Sequence, residues 1–569
     1  LTTERITNSR STQPALQARK EKAMNYKIII IGILTIFAGT IALLALPTDK
    51  AVTPVYDLSE LPVYENYASA SSSIFGNNIL FSIPIGKDGI TYDGLGYEQI
   101  PWGPSALKID AEGDFWIADA AAHRLLEYDK FGNQLSIVDL SNSEIVSIHD
   151  FALVGDEIAV LDLSNNEPAI VWVDYSGNIS KRAFIPYGSS QMFTKLFTDA
   201  VGNLVVEIDG GAKYALVGRT DDSRVTVGKS IQPPARINQI SDDTRIEVTD
   251  GSTKRVENFQ NDTYGSVLFL LSRNGSIFAE TVETYTRPDY SFDVDTIIHR
   301  YDSKLRPNGV ARIPSDKEFV FINSPFTISS DDSIFYLLGA KDAVYVLKLR
   351  FFRELPNVLP QGPPPVSASG ILDDISRRGL SESPTSCVRR STMMDRAWAY
   401  RSNEIYLKSA NISGSCPGRS RPHYLSTPKY YFSVSYDWGG FDTVDLFNYS
   451  MGIGRQAGDI NSSIESCSRG VDCSGFVSRV WGLSSKYSTT TLPSISTRLS
   501  SRKNLLQGDI ANKSGVHTAV FYSTSGDSGA YWYESTTYNN LDKVSLIYHP
   551  WSYFEGNGYK YYRYNNACP

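Results

Sequence analysis

Hydrophobic and polar positions change their spacing four times along this chain. Residues Ile28 to Leu46 are an unbroken uncharged run rich in Ile, Leu and Ala. At about 1.5 Å per residue such a run, if helical, crosses a hydrocarbon layer about 30 Å thick. Arg19, Lys20, Lys22 and Lys27 precede it, and basic residues ahead of a span hold that end in the cytoplasm. The expectation is a transmembrane anchor over 28–46, with 1–27 as a cytoplasmic tail or an over-extended start. A signal peptide beginning at Met24 is the alternative, which would make the protein secreted. No clear Ala-x-Ala site follows the run, and this favours the anchor. Either way, everything after it faces outside the membrane, in the cell envelope.

From about residue 74 to 353 the spacing shortens to runs of four to six apolar-rich residues divided by Gly, Asn and Asp. Gly103 to Asp110, Glu112 to Asp119 and His123 to Asp129 give three short strands, ending at Gly132-Asn133. The pattern recurs at Gly155 to Asp174, from Gly202, from Gly265 through Asp302 with an insertion, and from Asp332 to Leu347. This succession is similar to the NHL-type repeat of β-propellers. The resemblance implies an all-β propeller, expected to be six-bladed, with Asn78 to Ile85 supplying a closing strand. A pair of packed sheets is the alternative. Radial repetition protects sheet edges, which suits an exposed domain.

Residues 354–372 carry Pro356, Pro360 and Pro363-Pro364-Pro365 before a Ser/Ala/Gly stretch. That is a stiff spacer, expected to separate two folding units. Beyond it, Ser391 to Lys408 reads as a helix and 385–569 as an α+β domain. The fold class is therefore multidomain, mostly β, with its α+β part last.

Charge divides along the same boundaries. Residues 1–50 carry +4, 51–370 carry −17 and 371–569 carry +5, in a chain of net −8. An acidic propeller is an unsuitable nucleic-acid binder, and no nucleic-acid partner is expected. A mildly basic last domain suits an anionic polymer. All five cysteines, Cys387, Cys416, Cys467, Cys473 and Cys568, fall in that domain. With Cys473 kept free, four remain for two disulfides in an oxidising compartment, with three pairings open. Zinc spacing is lacking, so no metal and no cofactor is expected.

The chemistry centres on Asp472-Cys473-Ser474-Gly475, at the head of an amphipathic run. A helix N-terminus and a nearby imidazolium lower a thiol's pKa, and Asp472 is placed as an N-cap. Tyr436-Asp437-Trp438-Gly439-Gly440 lies upstream. Gly508-Asp509 and a strand-like run containing His517 lie downstream. These three ordered motifs resemble the NlpC-type cell-wall peptidases, a circularly permuted branch of the papain-like hydrolases. The resemblance implies Cys473 as nucleophile, His517 as base, and Tyr436 beside an oxyanion hole that includes the Cys473 N–H. Asp472 and Ser474 would contact the substrate amine. The family's usual third histidine is absent from Tyr531 to Glu534. Glu534 is the expected substitute, accepting the Nδ1 proton of His517. His423 and His549, each beside a proline, read as loop residues, and His149 and His299 as packed or turn residues in the propeller.

The implied activity is hydrolysis of peptidoglycan stem peptides in a bacterial envelope, at the γ-D-glutamyl to diamino-acid bond. The propeller would position the enzyme or hold a protein partner. Two other readings follow from the same residues. One is an extracellular recognition propeller with a degenerate peptidase domain, and the other is amidase or acyl-transfer chemistry on a non-wall substrate.

Overall fold

The computed structural model describes residues 79–353 and 387–568, apart from short internal stretches. The 1–27 tail, the 28–46 span and most of the 354–372 spacer lie outside the described residues. Among the described residues, no helix is long and apolar enough to cross a membrane.

Residues 79–348 form a β-propeller. Each antiparallel sheet is a meander in which a strand bonds the one next to it in sequence. The first sheet uses Ala106–Ile109, Phe115–Asp119, Arg124–Tyr128 and Gln134–Asp139, one strand more than the repeat predicts. Its strands begin where the Asp-x-x-Gly turns end. Asp110 Oδ1 accepts the Glu112 and Asp114 N–H groups, and Asp129 does the same for Phe131 and Asn133. Such turns reverse the chain while satisfying its backbone donors. The strands Phe326–Ile328, Ala106–Ile109, Asp150–Val154 and Phe193–Thr198 pack side by side in that order. Closure comes from Ile79–Pro84, which pairs antiparallel with Ala343–Lys348, as the sequence predicts. It completes the sheet of the fifth recognised repeat. A further sheet, over Arg236–Gln239, Arg245–Thr249 and Lys254–Asn258, is one that the repeat spacing does not reveal.

The last domain is built on a six-stranded antiparallel sheet. Its strands are β1 (Ser496–Arg498), β2 (Ile510–Lys513), β3 (His517–Ser525), β4 (Gly529–Thr536), β5 (Lys543–Pro550) and β6 (Lys560–Tyr564), in spatial order β1-β6-β2-β3-β4-β5. Helices α1 (Arg390–Ser402), α2 (Cys473–Val480) and α3 (Trp551–Gly556) accompany it. The predicted helix 391–408 stops at Ser402. Ile405 and Tyr406 belong to a strand, Glu404–Leu407, paired with Lys429–Phe432. The core beneath α1 and α2 gathers Met393, Phe476, Val480, Trp481, Ile510 and Val520. Two disulfides, Cys387–Cys568 and Cys416–Cys467, resolve the three open pairings, and Cys473 is free and buried.

Propeller and last domain belong to one compact unit and touch directly. Phe321 packs edge-on against Tyr553 at 4.8 Å. Thr284 Oγ1 donates to Glu555 Oε2 at 2.7 Å and Tyr531 Oη to Asp209 Oδ1 at 2.5 Å. Gly210 lies so close to the Tyr548 ring that a Cβ would stand 2.2 Å from it.

Candidate active site

Helix α2 begins at Cys473 because Asp472 caps it. The Asp472 carboxylate accepts the Gly475 N–H at 2.7 Å and the Ser474 hydroxyl at 3.1 Å, while its second oxygen takes the Gly439 N–H at 2.9 Å and pairs with Lys486. One buried carboxylate thus binds the nucleophile turn to the Trp438-Gly439-Gly440 segment. Gly475 is needed by space. A Cβ there would lie 2.1 Å from the Gly440 carbonyl oxygen, a backbone atom that cannot move aside cheaply. The motif spacing read from the sequence is therefore a packing requirement between two backbone turns.

Helix α2 lies against β3, which carries His517 as its first residue. The Cys473 sulfur accepts the backbone N–H of Thr518, the residue after His517. His517 is 2% exposed, and its Nε2 lies 2.9 Å from Glu534 Oε2. The sequence argument assigned Glu534 to Nδ1. In the structure Glu534 engages Nε2. Glu534 is fully buried within its strand.

The other oxygen of Glu534 contacts His549 Nε2 at 2.7 Å. His549 is not a loop residue. It sits on β5, 2% exposed, with its ring stacked 3.9 Å from that of Tyr553. Burial by itself raises the Glu534 carboxyl pKa, but His549 and His517 outweigh it and hold the group at about 2. A signal for His549 was present in the strand pattern. Ile547 and His549 are two apart and therefore share a face, and Ile547 pairs with the fully buried Trp532.

Tyr436 is buried near Cys473, and its hydroxyl has no hydrogen-bond partner among the described residues. Burial, then the charge of Cys473, pushes that phenol well above its ordinary value. An unpaired buried hydroxyl near a reacting sulfur is a donor held ready for developing negative charge.

The sequence predicts a thiol ionised at rest. In the structure burial first, then Asp472 and Glu98, push the Cys473 thiol well above its ordinary value, and Lys486 and the Thr518 N–H lower it less. Glu98 comes from the propeller and no motif announces it. Its side chain is buried, with Oε1 accepting from the Thr489 N–H at 3.0 Å and hydroxyl at 2.9 Å, and Oε2 from Ser474 Oγ at 3.4 Å. Of the remaining histidines, His423 lies in a loop as expected, bonded to Asp542 at 2.8 Å. His299 is on a propeller strand, 2.9 Å from Thr281 Oγ1.

No protein-family profile matches the chain, and no characterised protein matches it in sequence. Solved structures do align. A streptogramin B lyase is 13% identical with TM-score 0.25, over 46% of this chain and 97% of its own. A duf4221 member from Bacteroides vulgatus is 9% identical with TM-score 0.29, over 48% and 96%. YCF48 bound to D1 peptide is 12% identical with TM-score 0.25, over 47% and 97%. The propeller assignment rests on the sheets described above. The peptidase reading rests on the three motifs and the geometry around Cys473.

Proposed function

We propose that this chain is an exported cysteine peptidase of NlpC type, acting on bacterial peptidoglycan stem peptides at the γ-D-glutamyl to diamino-acid bond. The observation that carries the reading is the buried array in which Glu534 joins His517 to His549 beside the Cys473 turn. A carboxylate on one imidazole nitrogen fixes the tautomer and stabilises the imidazolium that forms in catalysis. A purely structural domain has no need of such an array next to its one free thiol.

In this mechanism the Cys473 thiol gives its proton to His517 Nδ1 as sulfur adds to the carbonyl carbon. The oxyanion is met by the Cys473 N–H, with Tyr436 close by. The tetrahedral adduct collapses, the C–N bond breaks, and the leaving amine takes the proton from His517. Water, deprotonated by His517, then cleaves the thioester and restores the thiol. Neither cofactor nor metal takes part. Asp472 and Ser474 face the substrate's amine end.

The wider proposal is a six-bladed propeller that positions the enzyme or holds a protein partner, tethered by a 28–46 membrane anchor in the cell envelope. The test is mass spectrometry of purified peptidoglycan fragments after incubation with the protein. A new free amine on the diamino acid supports both substrate and bond. Products cut elsewhere overturn the bond, and unchanged fragments overturn the substrate.

A further inference from the structure

The propeller reaches into the catalytic domain at one corner, Glu98-Gln99. Asp93 and Trp102 exchange backbone hydrogen bonds at the base of this excursion, donor to acceptor 2.9 and 3.0 Å. Its tip touches four separate segments of the last domain. Glu98 N–H donates to the Gly515 carbonyl at 3.0 Å, two residues ahead of the base. The Glu98 carboxylate takes the Thr489 and Ser474 hydroxyls. Gln99 Nε2 donates to the Ile460 carbonyl at 3.0 Å. Glu98 holds a left-handed backbone, φ +56°, a conformation a glutamate adopts only when its surroundings impose it.

The site next to the corner is closed. Cys473 and Glu534 are 0% exposed and His517 is 2% exposed, and no peptide carbonyl reaches the sulfur in this arrangement. The corner also sets a carboxylate beside Ser474, next to the sulfur that must become negative. Like charge at that distance opposes the thiolate, and the exclusion of water opposes it further.

We infer that the Glu98-Gln99 corner is an autoinhibitory latch, by which the propeller slows the peptidase until an extended substrate or a propeller ligand draws the corner away. The inference rests on Cys473 being the nucleophile, and it adds regulation by the neighbouring domain. Its contacts are few and polar: one backbone bond, one glutamine bond and three to a carboxylate. A handful of such bonds is within reach of the binding energy of a propeller ligand or an extended substrate.

The experiment is alkylation of the full-length, non-reduced protein by iodoacetamide, read by mass, together with turnover of a soluble stem tripeptide. The four other cysteines are in disulfides, so Cys473 alone reports. Glu98→Ala and, from the other side of the contact, Thr489→Val should each speed alkylation at least tenfold and raise turnover. Glu98→Gln, which keeps the shape and removes the charge, should give a smaller rise in both. Unchanged alkylation in all three variants overturns the latch. So does unchanged alkylation with reduced turnover, which would make Glu98 a substrate contact. Faster alkylation with no turnover by any form, wild type included, supports the latch while refuting the proposed substrate.

Discussion

The propeller and the last domain solve the same problem, the pairing of strands, in opposite ways. In the propeller every strand but the closing one bonds its sequence neighbour, with Asp-x-x-Gly turns resetting the direction. In the catalytic sheet β6 is inserted between β1 and β2, and the site draws on residues from 436 to 549. Local pairing writes its periodicity into the sequence, and repeats can vary without loss of the whole. Non-local pairing leaves isolated motifs whose meaning depends on partners far along the chain. The interface between the domains is the extreme case: Glu98 meets Ser474 across 376 residues.

If the catalytic array acts as one non-local unit, disturbing it should cost in order of distance from the sulfur. His517→Ala should lower turnover by about a thousandfold or more, because proton transfer in both directions is lost. Glu534→Gln should lower kcat by about ten- to a hundredfold with KM little changed, since it orients an imidazole and does not replace one. Equal rates for Glu534→Gln and wild type would mean that another group orients the ring. His549→Ala should cost less in rate, about tenfold or under. It should also lower stability by about 1–3 kcal/mol, because one Glu534 oxygen is left buried without a partner. Steady-state kinetics with thermal unfolding of the same variants checks all three.

The interface gives a smaller effect. Cutting the chain between residues 361 and 369 should leave both fragments associated in size-exclusion chromatography, held by contacts such as Phe321 with Tyr553. Separate elution would restore the picture of two independent domains. The smallest effect is on pH dependence. The Glu534 pKa is about 2 in the fold against an ordinary 4.5. A depressed carboxylate contributes stability that is present above its unfolded value and lost as pH falls toward the folded one. The stability difference between wild type and Glu534→Gln should therefore shrink from about pH 4.5 down to pH 2.

The propeller was legible because its period is local. Gly103 to Asp129 announced three of the first sheet's four strands, and Asn78 to Ile85 announced the closure. The sheet at 236–258 escaped because its strands carry polar runs such as Lys-Arg-Val-Glu-Asn, without the apolar blocks of the others. At the site, the proximity of Cys473, His517 and Glu534 was legible from motif order and the absence of other candidates. His549 was passed over because a neighbouring proline suggested a loop, yet its alternation with Ile547 placed it on the buried face. Glu98 had no local signature: only the packing of two domains brings it to Ser474. The influences on the thiol divide the same way: helix dipole and imidazole are local, while burial and the Glu98 carboxylate, which push its pKa up, are not.

The central claim, that Cys473 is the nucleophile of a peptidoglycan peptidase, is tested most directly by incubating wild type and Cys473→Ala with purified peptidoglycan and quantifying released amines by mass spectrometry. The account predicts release by wild type and a loss of about a thousandfold or more in the variant, with identical thermal unfolding up to the small change at one buried side chain. Release by Cys473→Ala at the wild-type rate would contradict it.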